Sequence, residues 1–189
     1  MTIVTIRRPE RRTLTPRRSD NDKRELADLP LLAEDLARLA GRADYEPYAK
    51  HKLHPRAFGL DPIPAISDDP TYCDGHAQFT PDDIHRIPDL LRRGIFAGLI
   101  GHQGAPHDPR TLWTIDTTGW VFEGRITHPG RAIYHGYPLL PGDAMAAKVI
   151  ARFERWVYDS SEEHLYMCDR MTRNEGIAIL SAAQERYRP

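Results

Sequence analysis

The stretch TLWTIDTTGWVFEGRITHPGRAIYHGYPLL, residues 111–140, decides the fold because it combines strand-forming residues with two readable turns. Branched and aromatic residues, which favour strands, recur in three runs. The runs are separated by Thr117-Thr118-Gly119 and by His128-Pro129-Gly130. Each is a three-residue hairpin loop with a glycine for the left-handed backbone angles that such loops need. The stretch therefore predicts a three-stranded antiparallel meander.

The two turns set a pairing register, which predicts the side chains that share each face of the sheet. One face is expected to mix aromatic, branched and charged residues: Trp113, Ile115, Val121, Glu123, Arg125, Ile133, His135 and Tyr137. The other is more uniformly apolar and is expected to be the core face: Leu112, Trp120, Phe122, Ile126, Ala132 and Tyr134. On the first face, a hairpin centred on Pro129 places Glu123 opposite His135, with Arg125 two residues along.

Two helices are predicted before the meander. Residues 28–41 form a short one that Gly41 ends. Thr80 caps a second helix, which Pro88 is expected to kink or divide and Gly94 to end. Between the two helices, residues 44–78 are rich in proline, histidine and aspartate and show no helical or strand period. We interpret them as a long ordered loop, which in a compact domain is more often functional than idle.

Two more helices are predicted after the meander. Asp143 caps the first, whose apolar stripe is expected to lie on the core face of the sheet. Thr172 and Glu175 have the spacing of a capping box and open the last helix. The order of helices, sheet and helices predicts the α+β class, with an antiparallel meander packed against helices in a single domain, rather than a doubly wound fold.

The charge of the chain is segregated although its formal total is only −1. Residues 1–18 hold six arginines and one glutamate, a charge of +5, so the remainder carries −6. We predict a basic flexible arm, residues 1–24, followed by one α+β domain, residues 25–189. The arm suits a phosphate backbone or an acidic partner protein, or it is a solvated tail. The acidic body counts against a general nucleic-acid binder.

The compartment is predicted from cysteines and hydropathy. Cys73 and Cys168 are far apart in the sequence and form no disulfide framework, so we expect thiols in a reducing compartment. No apolar run approaches the roughly 20 residues of a membrane span, and no signal-peptide pattern opens the sequence. We expect a cytoplasmic protein without a membrane partner, unless a dedicated secretion machine delivers it.

The first candidate site comprises Glu123, Arg125 and His135 on the mixed face. A carboxylate beside an imidazole suits acid–base work, and an arginine between them suits a phosphate or an oxyanion. Cleavage of RNA without a metal needs such a set, with the substrate's own 2′-hydroxyl as nucleophile. The alternative is a cross-strand ion pair, which is common on half-exposed strands.

The second candidate site is KHKLHPRAFG, residues 50–59, where two histidines alternate with cations. Neighbouring positive charges disfavour a charged imidazole, so a histidine pKa here is expected to fall and to suit a general base near neutrality. The segment HPRAFGL that begins at His54 resembles the His-x-x-x-Phe-Gly-Val segment of colicin D-type anticodon nucleases. The hairpin DTTGWVFEGR, residues 116–125, is similar to the strand–turn–strand in which those toxins carry their other site residues.

The resemblance covers about 20 residues and implies an endoribonuclease toxin that acts on tRNA. It implies that His54 is the general acid or base and that Lys50 and Lys52 hold phosphate. Glu123 and Arg125 stand where the family has a small hydroxyl residue and an aromatic, so the two positions depart from its pattern.

Two further patterns have ordinary alternatives. Cys73 and His76 have the spacing of half a zinc site, to which His102 and His107 are candidate additions, but a structural zinc site usually shows two close ligand pairs. We predict no metal and no cofactor. The aromatic residues at 134–137 suit either a platform for base stacking or edge-strand packing.

The leading hypothesis is metal-independent RNA cleavage of the bacterial toxin type in a cleft between residues 44–78 and the mixed face of the meander. The predicted catalytic residues are His54, His135, Glu123 and Arg125. The predicted substrate-binding residues are Lys50, Lys52, Arg131, Tyr137 and Trp113. The partner is RNA, with tRNA as the form that the resemblance implies. The rival hypothesis is a module, of the immunity, adaptor or assembly kind, that binds a single protein partner through Trp113, Tyr137 and the arginine-rich arm.

Overall fold

A computed structural model describes residues 24–64 and 71–188, so the predicted basic arm lies outside the described residues except for Arg24. The class is α+β, as the sequence predicts. The helices of the described residues are α1 (Ala33–Ala40), α2 (Cys73–His76), α3 (Ile87–Phe96), α4 (Ala144–Asp159), α5 (Glu162–Asp169) and α6 (Arg173–Arg186). The strands there are β1 (Asp44–Tyr45), β2 (Gly104–Ala105), β3 (Asp108–Pro109), β4 (Thr111–Ile115), β5 (Val121–His128) and β6 (Ile133–Pro138). Short 3-10 helices span Ala49–His51, Pro55–Phe58 and Pro81–Arg86.

The predicted antiparallel meander is confirmed as the centre of the fold. Strands β4, β5 and β6 pair antiparallel, and β1 adds a parallel strand at the edge of β6, in the order β1-β6-β5-β4. Strands β2 and β3 form a separate antiparallel pair. Because Tyr45 of β1 pairs with Tyr134 of β6, the loop that follows β1 starts beside the next residue of β6, His135.

The register between β5 and β6 differs from the prediction by two residues. Glu123 pairs with Tyr137 and Arg125 pairs with His135, so the predicted pairing of Glu123 with His135 is wrong. A bulge near the end of β5 and a φ of 52° at Ala132 displace the pairing. A bulge sets two residues of one strand against one residue of the other, which a count from the turn does not reveal. A shift of two keeps the same side chains on the same face.

Helices cover both faces of the sheet. Helix α4, with α6 packed on it, covers the face of Trp113 and Val121. Helices α1 and α3 cover the face of Leu112 and Tyr134. The prediction that α4 lies on the more uniformly apolar face is therefore wrong. Both faces carry large apolar side chains, and each nucleates its own core, so composition alone does not decide which helix covers which face.

The signals that open the second predicted helix act as expected, but the signal predicted to end it does not. Thr80 and Asp83 form a capping box, and Pro88 marks the division between the 3-10 helix and α3. Gly94 lies inside α3, which continues beyond it, so its predicted role as a terminator is wrong. A Cβ at Gly94 would overlap the carbonyl oxygen of Trp113. The glycine therefore allows α3 to pack closely on β4.

The remaining helix boundaries follow local capping. The Asp143 side chain accepts a hydrogen bond from Met145 N at 3.0 Å, and Thr172 with Glu175 forms the predicted capping box. Helix α1 begins later than predicted because Leu32, in an extended conformation, is its N-cap. Helix α5 has no counterpart among the predicted elements. Within the described residues, no helix combines the length and the apolar character needed to cross a bilayer.

Candidate functional site

Glu123 is the centre of a buried hydrogen-bond network on the face of the sheet that α4 covers. Its side chain has no exposure to solvent (0%). Oε2 accepts hydrogen bonds from Arg24 Nε at 2.9 Å and from Trp113 Nε1 at 3.1 Å. Oε1 accepts from Arg125 Nε at 2.7 Å and from the Tyr137 hydroxyl at 2.5 Å. Four donors, from the segment before α1 and from strands β4, β5 and β6, hold the carboxylate in one orientation.

The network keeps Glu123 ionised. Burial alone would raise the pKa of Glu123, but the charges of Arg24 and Arg125 and the Tyr137 hydrogen bond outweigh burial and hold the pKa below its ordinary value. Burial, together with the charge of Glu123, raises the pKa of Tyr137 to about 12. At neutral pH, therefore, Glu123 is an anion and Tyr137 a neutral hydroxyl. The geometry assigns Glu123 to holding Arg125 and Tyr137 in place.

His135 lies next to this network on the same face, and a second imidazole packs on it. The ring centroids of His51 and His135 are 5.5 Å apart and the planes differ by 12°. The Tyr48 ring lies edge-on to both, with centroids at 5.8 Å from His51 and 5.1 Å from His135. His51 also lies 4.7 Å from the Tyr137 ring, and Thr127 Oγ1 is 2.9 Å from His135 Nδ1. Two imidazoles thus lie side by side, within the span of one phosphodiester group.

Both imidazoles are held neutral at pH 7. Burial lowers the pKa of His51 to about 4, and the charges of His135, Lys52 and Lys50 add to that effect. Burial also lowers the pKa of His135, followed by the charges of Arg125 and Lys50. Lys50 therefore acts electrostatically on both rings, with Arg125 on the His135 side. A neutral imidazole has an unprotonated ring nitrogen that can accept a proton.

The long loop that follows β1 brings His51 to this position. Tyr48 begins the 3-10 helix Ala49–His51 in an extended conformation, and His51 ends that helix. The carboxylate of Asp74 in α2 then accepts the backbone amides of Leu53 and His54 at 2.7 and 2.8 Å. The expected packing of this loop against the meander is present at His51 and Tyr48, on the His135 side of the sheet.

His54, a predicted catalytic residue, stands apart from this cluster. Its side chain is exposed, and within residues 24–64 and 71–188 its ring takes part in no hydrogen bond, ion pair or ring contact. His51, three residues earlier, occupies the place beside His135. The structure therefore brings Glu123, Arg125 and His135 together, as the sequence predicts, and brings His51 to them in the place of His54.

The two lysines of the loop have different surroundings. Lys50 is half-buried beside the imidazoles. Lys52 is buried, donates to the Tyr45 hydroxyl at 3.2 Å, and lies 4.9 Å from the centroid of the Phe58 ring. Lys50 therefore adds positive charge near the imidazoles, whereas Lys52 holds the loop against β1.

The other predicted substrate-binding residues also differ in their exposure to solvent. Trp113 is completely buried and donates to Glu123, so its ring is not a surface for a ligand. Tyr137 is 8% exposed, and its ring packs against His51. Arg131 is exposed in the loop between β5 and β6.

Three residues of the site were missed by sequence reasoning: Arg24, Tyr48 and His51. His51 carried the same signal as His54, alternation with cations, and the 3-10 helix decides which of the two faces the sheet. Tyr48 carried only the general signal of an aromatic near two histidines. No sequence signal marked Arg24, because it is one of several arginines in the basic arm.

The two cysteines and the candidate metal ligands have other partners. Both cysteines are buried free thiols. The Cys73 thiol donates to the Gly136 carbonyl at 3.3 Å, and His76 Nδ1 accepts from the Tyr72 amide at 3.0 Å. In the part of the chain that the structure describes, no three acidic, histidine or cysteine side chains converge to hold a metal ion.

Comparison of this chain with protein-family models, with curated proteins and with solved structures finds no match in any of the three.

Proposed function

We propose that this protein cleaves RNA by metal-independent transesterification, with His51 and His135 as the acid–base pair. The observation that carries the proposal is the stacked pair of imidazoles at 5.5 Å, both with lowered pKa, on a sheet face that also presents Arg125 and Tyr137. Two adjacent imidazoles can supply a base and an acid when one ring is neutral and the other protonated.

The reaction uses the nucleophile that RNA itself supplies. A neutral His51 takes the proton of a 2′-hydroxyl, whose oxygen attacks the adjacent phosphorus. The bond from phosphorus to the 5′-oxygen breaks, and His135 gives its proton to that leaving oxygen in the fraction of molecules in which its ring is protonated, a fraction that grows as the pH falls. The products are a 2′,3′-cyclic phosphate and a 5′-hydroxyl end, and no water or redox partner is consumed. We assign the base to His51 because its pKa of about 4 leaves it neutral over a wider pH range.

Two cations are placed for the phosphate. The Arg125 side chain is 27% exposed, and its guanidinium is fixed beside His135 because Nε donates to Glu123 at 2.7 Å and Nη1 donates to Thr111 Oγ1 at 3.2 Å. The charge of Lys50 acts on both rings. Preorganised cations stabilise the charge that develops on phosphate oxygens in the transition state.

The choice of RNA as substrate has two supports. The mechanism uses a 2′-hydroxyl as its nucleophile, and RNA carries this group whereas DNA does not. The sequence around His54 also resembles colicin D-type anticodon nucleases, although the place beside His135 belongs to His51. Tyr48, 41% exposed and edge-on to both imidazoles, offers a face for an unpaired base next to the scissile phosphate.

The rival hypothesis of a protein-binding module loses its aromatic surface, whereas the arginine-rich arm on which it also depended lies outside the described residues except for Arg24. It requires Trp113 and Tyr137 to present an aromatic face to a partner, and the two residues are 0% and 8% exposed. A hot-spot aromatic must be accessible before binding if the partner is to bury it. We therefore propose the nuclease and not the module.

The test uses a short single-stranded RNA incubated with the full-length protein in excess chelator. The proposal predicts cleavage with 2′,3′-cyclic phosphate ends, identified by mass spectrometry. A matched oligonucleotide that carries one 2′-deoxyribose should resist cleavage at that nucleotide alone. Cleavage at the deoxy position, or 5′-phosphate products, would refute the mechanism.

A further inference from the structure

Arg24 inserts a guanidinium between two carboxylates that are distant in sequence. Its Nε donates to Glu123 Oε2 at 2.9 Å, and its Nη2 donates to both oxygens of Asp143 at 3.0 and 2.9 Å. Arg24 is 5% exposed, so it does not reach a bound substrate. It ties β5 to the N-cap residue of α4 through a segment that precedes the first helix of the domain.

The geometry of Glu123 shows what this tie does for the site. Arg24 and Trp113 both donate to Oε2, which leaves Oε1 for Arg125 and Tyr137. Because Arg24 is bound to Oε2, the carboxylate cannot rotate without losing a buried hydrogen bond between charged groups. The orientation of Arg125 and Tyr137 beside the imidazoles therefore depends on a residue that touches neither of them.

Stability alone does not account for this arrangement. Buried ion pairs are commonly no more stabilising than apolar side chains of similar volume. Within the described residues, Nη1 of Arg24 is buried without a hydrogen-bond partner, a further unfavourable contribution. A function in fixing the carboxylate explains why a charge is placed here.

We propose that Arg24 is a positioning residue of the nuclease site, acting through Glu123 on Arg125 and Tyr137. This inference rests on the proposed function. It predicts that the body of the domain is incomplete as a catalyst without the residue that joins it to the basic N-terminal segment.

The experiment compares full-length variants in the RNA cleavage assay. Arg24→Met keeps the length and removes the charge, and Arg24→Lys keeps the charge but replaces the planar guanidinium fork with a single ammonium nitrogen. The matched control is Arg93→Met, which removes an arginine whose side chain is 12% exposed and pairs with Asp169 at 2.6 Å between α3 and α5. Arg24→Met should lower kcat at least about tenfold with KM nearly unchanged, because the substrate does not touch Arg24. Arg24→Lys should recover part of the loss, and Arg93→Met should retain the wild-type kcat.

Recovery of kcat by added guanidinium ion distinguishes a positioning role of Arg24 from a purely structural one. Arg24→Ala leaves a cavity of guanidinium shape between two carboxylates, so guanidinium ion at millimolar concentration should restore kcat in that variant and not in His135→Ala. If the histidine variants lose activity while Arg24→Met and Arg24→Ala do not, the inference is refuted and the proposed function stands. If the wild-type protein does not cleave RNA, or if His51 and His135 variants cleave normally, the proposed function and this inference both fall.

Discussion

Replacement of Glu123 by glutamine tests whether the buried carboxylate holds the site together. The change keeps the shape of the side chain and removes its charge. It also presents an NH2 group to donors, since four donors surround the two oxygens of Glu123. Two of the four donors then face the NH2 group, which is itself a donor. The side chain of residue 123 is fully buried, so water cannot satisfy these groups.

The magnitude follows from burial. Removing one member of a buried ion pair costs about 3–5 kcal/mol, because the partner charges remain buried without compensation. Here the partners are Arg24, 6% exposed at its side chain, and Arg125. Such a loss is a large fraction of the roughly 5–15 kcal/mol by which a domain is stable. We expect Glu123→Gln to lower the free energy of unfolding by about 3–5 kcal/mol at pH 7.

The pH dependence gives the same prediction a second readout. The pKa of Glu123 is lowered in the folded state, so its contribution is fully present above its ordinary value of 4.5 and is lost as the pH falls through the folded pKa. The difference between wild type and Glu123→Gln should therefore shrink below pH 4.5. Asp169→Asn is the control, because burial raises the pKa of Asp169 and its difference from wild type should grow as the pH falls.

The assay is urea unfolding followed by tryptophan fluorescence at several pH values between neutrality and the onset of acid unfolding. Equal slopes in urea for the variants would show that the free energies are comparable. A loss below about 1 kcal/mol at pH 7, which is the size expected of an exposed pair, would refute the reasoning. A difference that stays constant through the acid range would do the same.

Three further predictions concern catalysis and packing. The pH–rate profile of RNA cleavage should be bell-shaped, with an acid limb near pH 4 from His51 and a basic limb below pH 6.5 from His135. A rate maximum at alkaline pH would contradict the assignment of base and acid. Gly94→Ala should destabilise the protein by about 1–3 kcal/mol in thermal unfolding, because overlap of the new Cβ with the Trp113 carbonyl oxygen outweighs the gain in helix propensity. A stabilised variant would show that α3 and β4 are not so closely packed. Tyr48→Ala should raise the KM for single-stranded RNA by the equivalent of about 1–3 kcal/mol, because a stacking contact is lost. The control is Tyr158→Ala, which removes a tyrosine of α4 that is 53% exposed and should leave KM unchanged.

The meander was predictable because its signals are local. Alternating apolar residues and glycine-containing turns specify strands and hairpins within a few residues of one another, and capping boxes do the same for helices. Asp143, Thr172 and Thr80 all cap where their sequence spacing indicates. The faces of the sheet followed from the same periodicity, so the grouping of Glu123 with His135 was also predictable.

Long-range packing was not predictable from the same signals. The exact partners of β5 and β6 depend on a bulge, and the side on which α4 packs depends on which of two apolar faces it reaches. Arg24 joins residues 99 and 119 positions away, and no local pattern marks such a contact. Strand β1 is only two residues long, too short for a period to appear.

The choice between His51 and His54 illustrates the limit within one motif. Both histidines have basic neighbours, and both fit a general base on charge grounds. A 3-10 helix ends at His51 and places its ring on the sheet, whereas Asp74 binds the amide of His54 and leaves its ring exposed. The difference is made by a backbone turn and by a carboxylate 20 residues away.

The most direct test of the account is the rate of RNA cleavage in chelator by His51→Ala, His135→Ala and His54→Ala in the full-length protein. The account predicts that His51→Ala and His135→Ala each lose about 100- to 10,000-fold in kcat while retaining the fold by circular dichroism. His54→Ala, whose ring is exposed and without partners in the described residues, should keep nearly all of its activity. Wild-type rates in the first two variants, or loss of activity in His54→Ala alone, would contradict it.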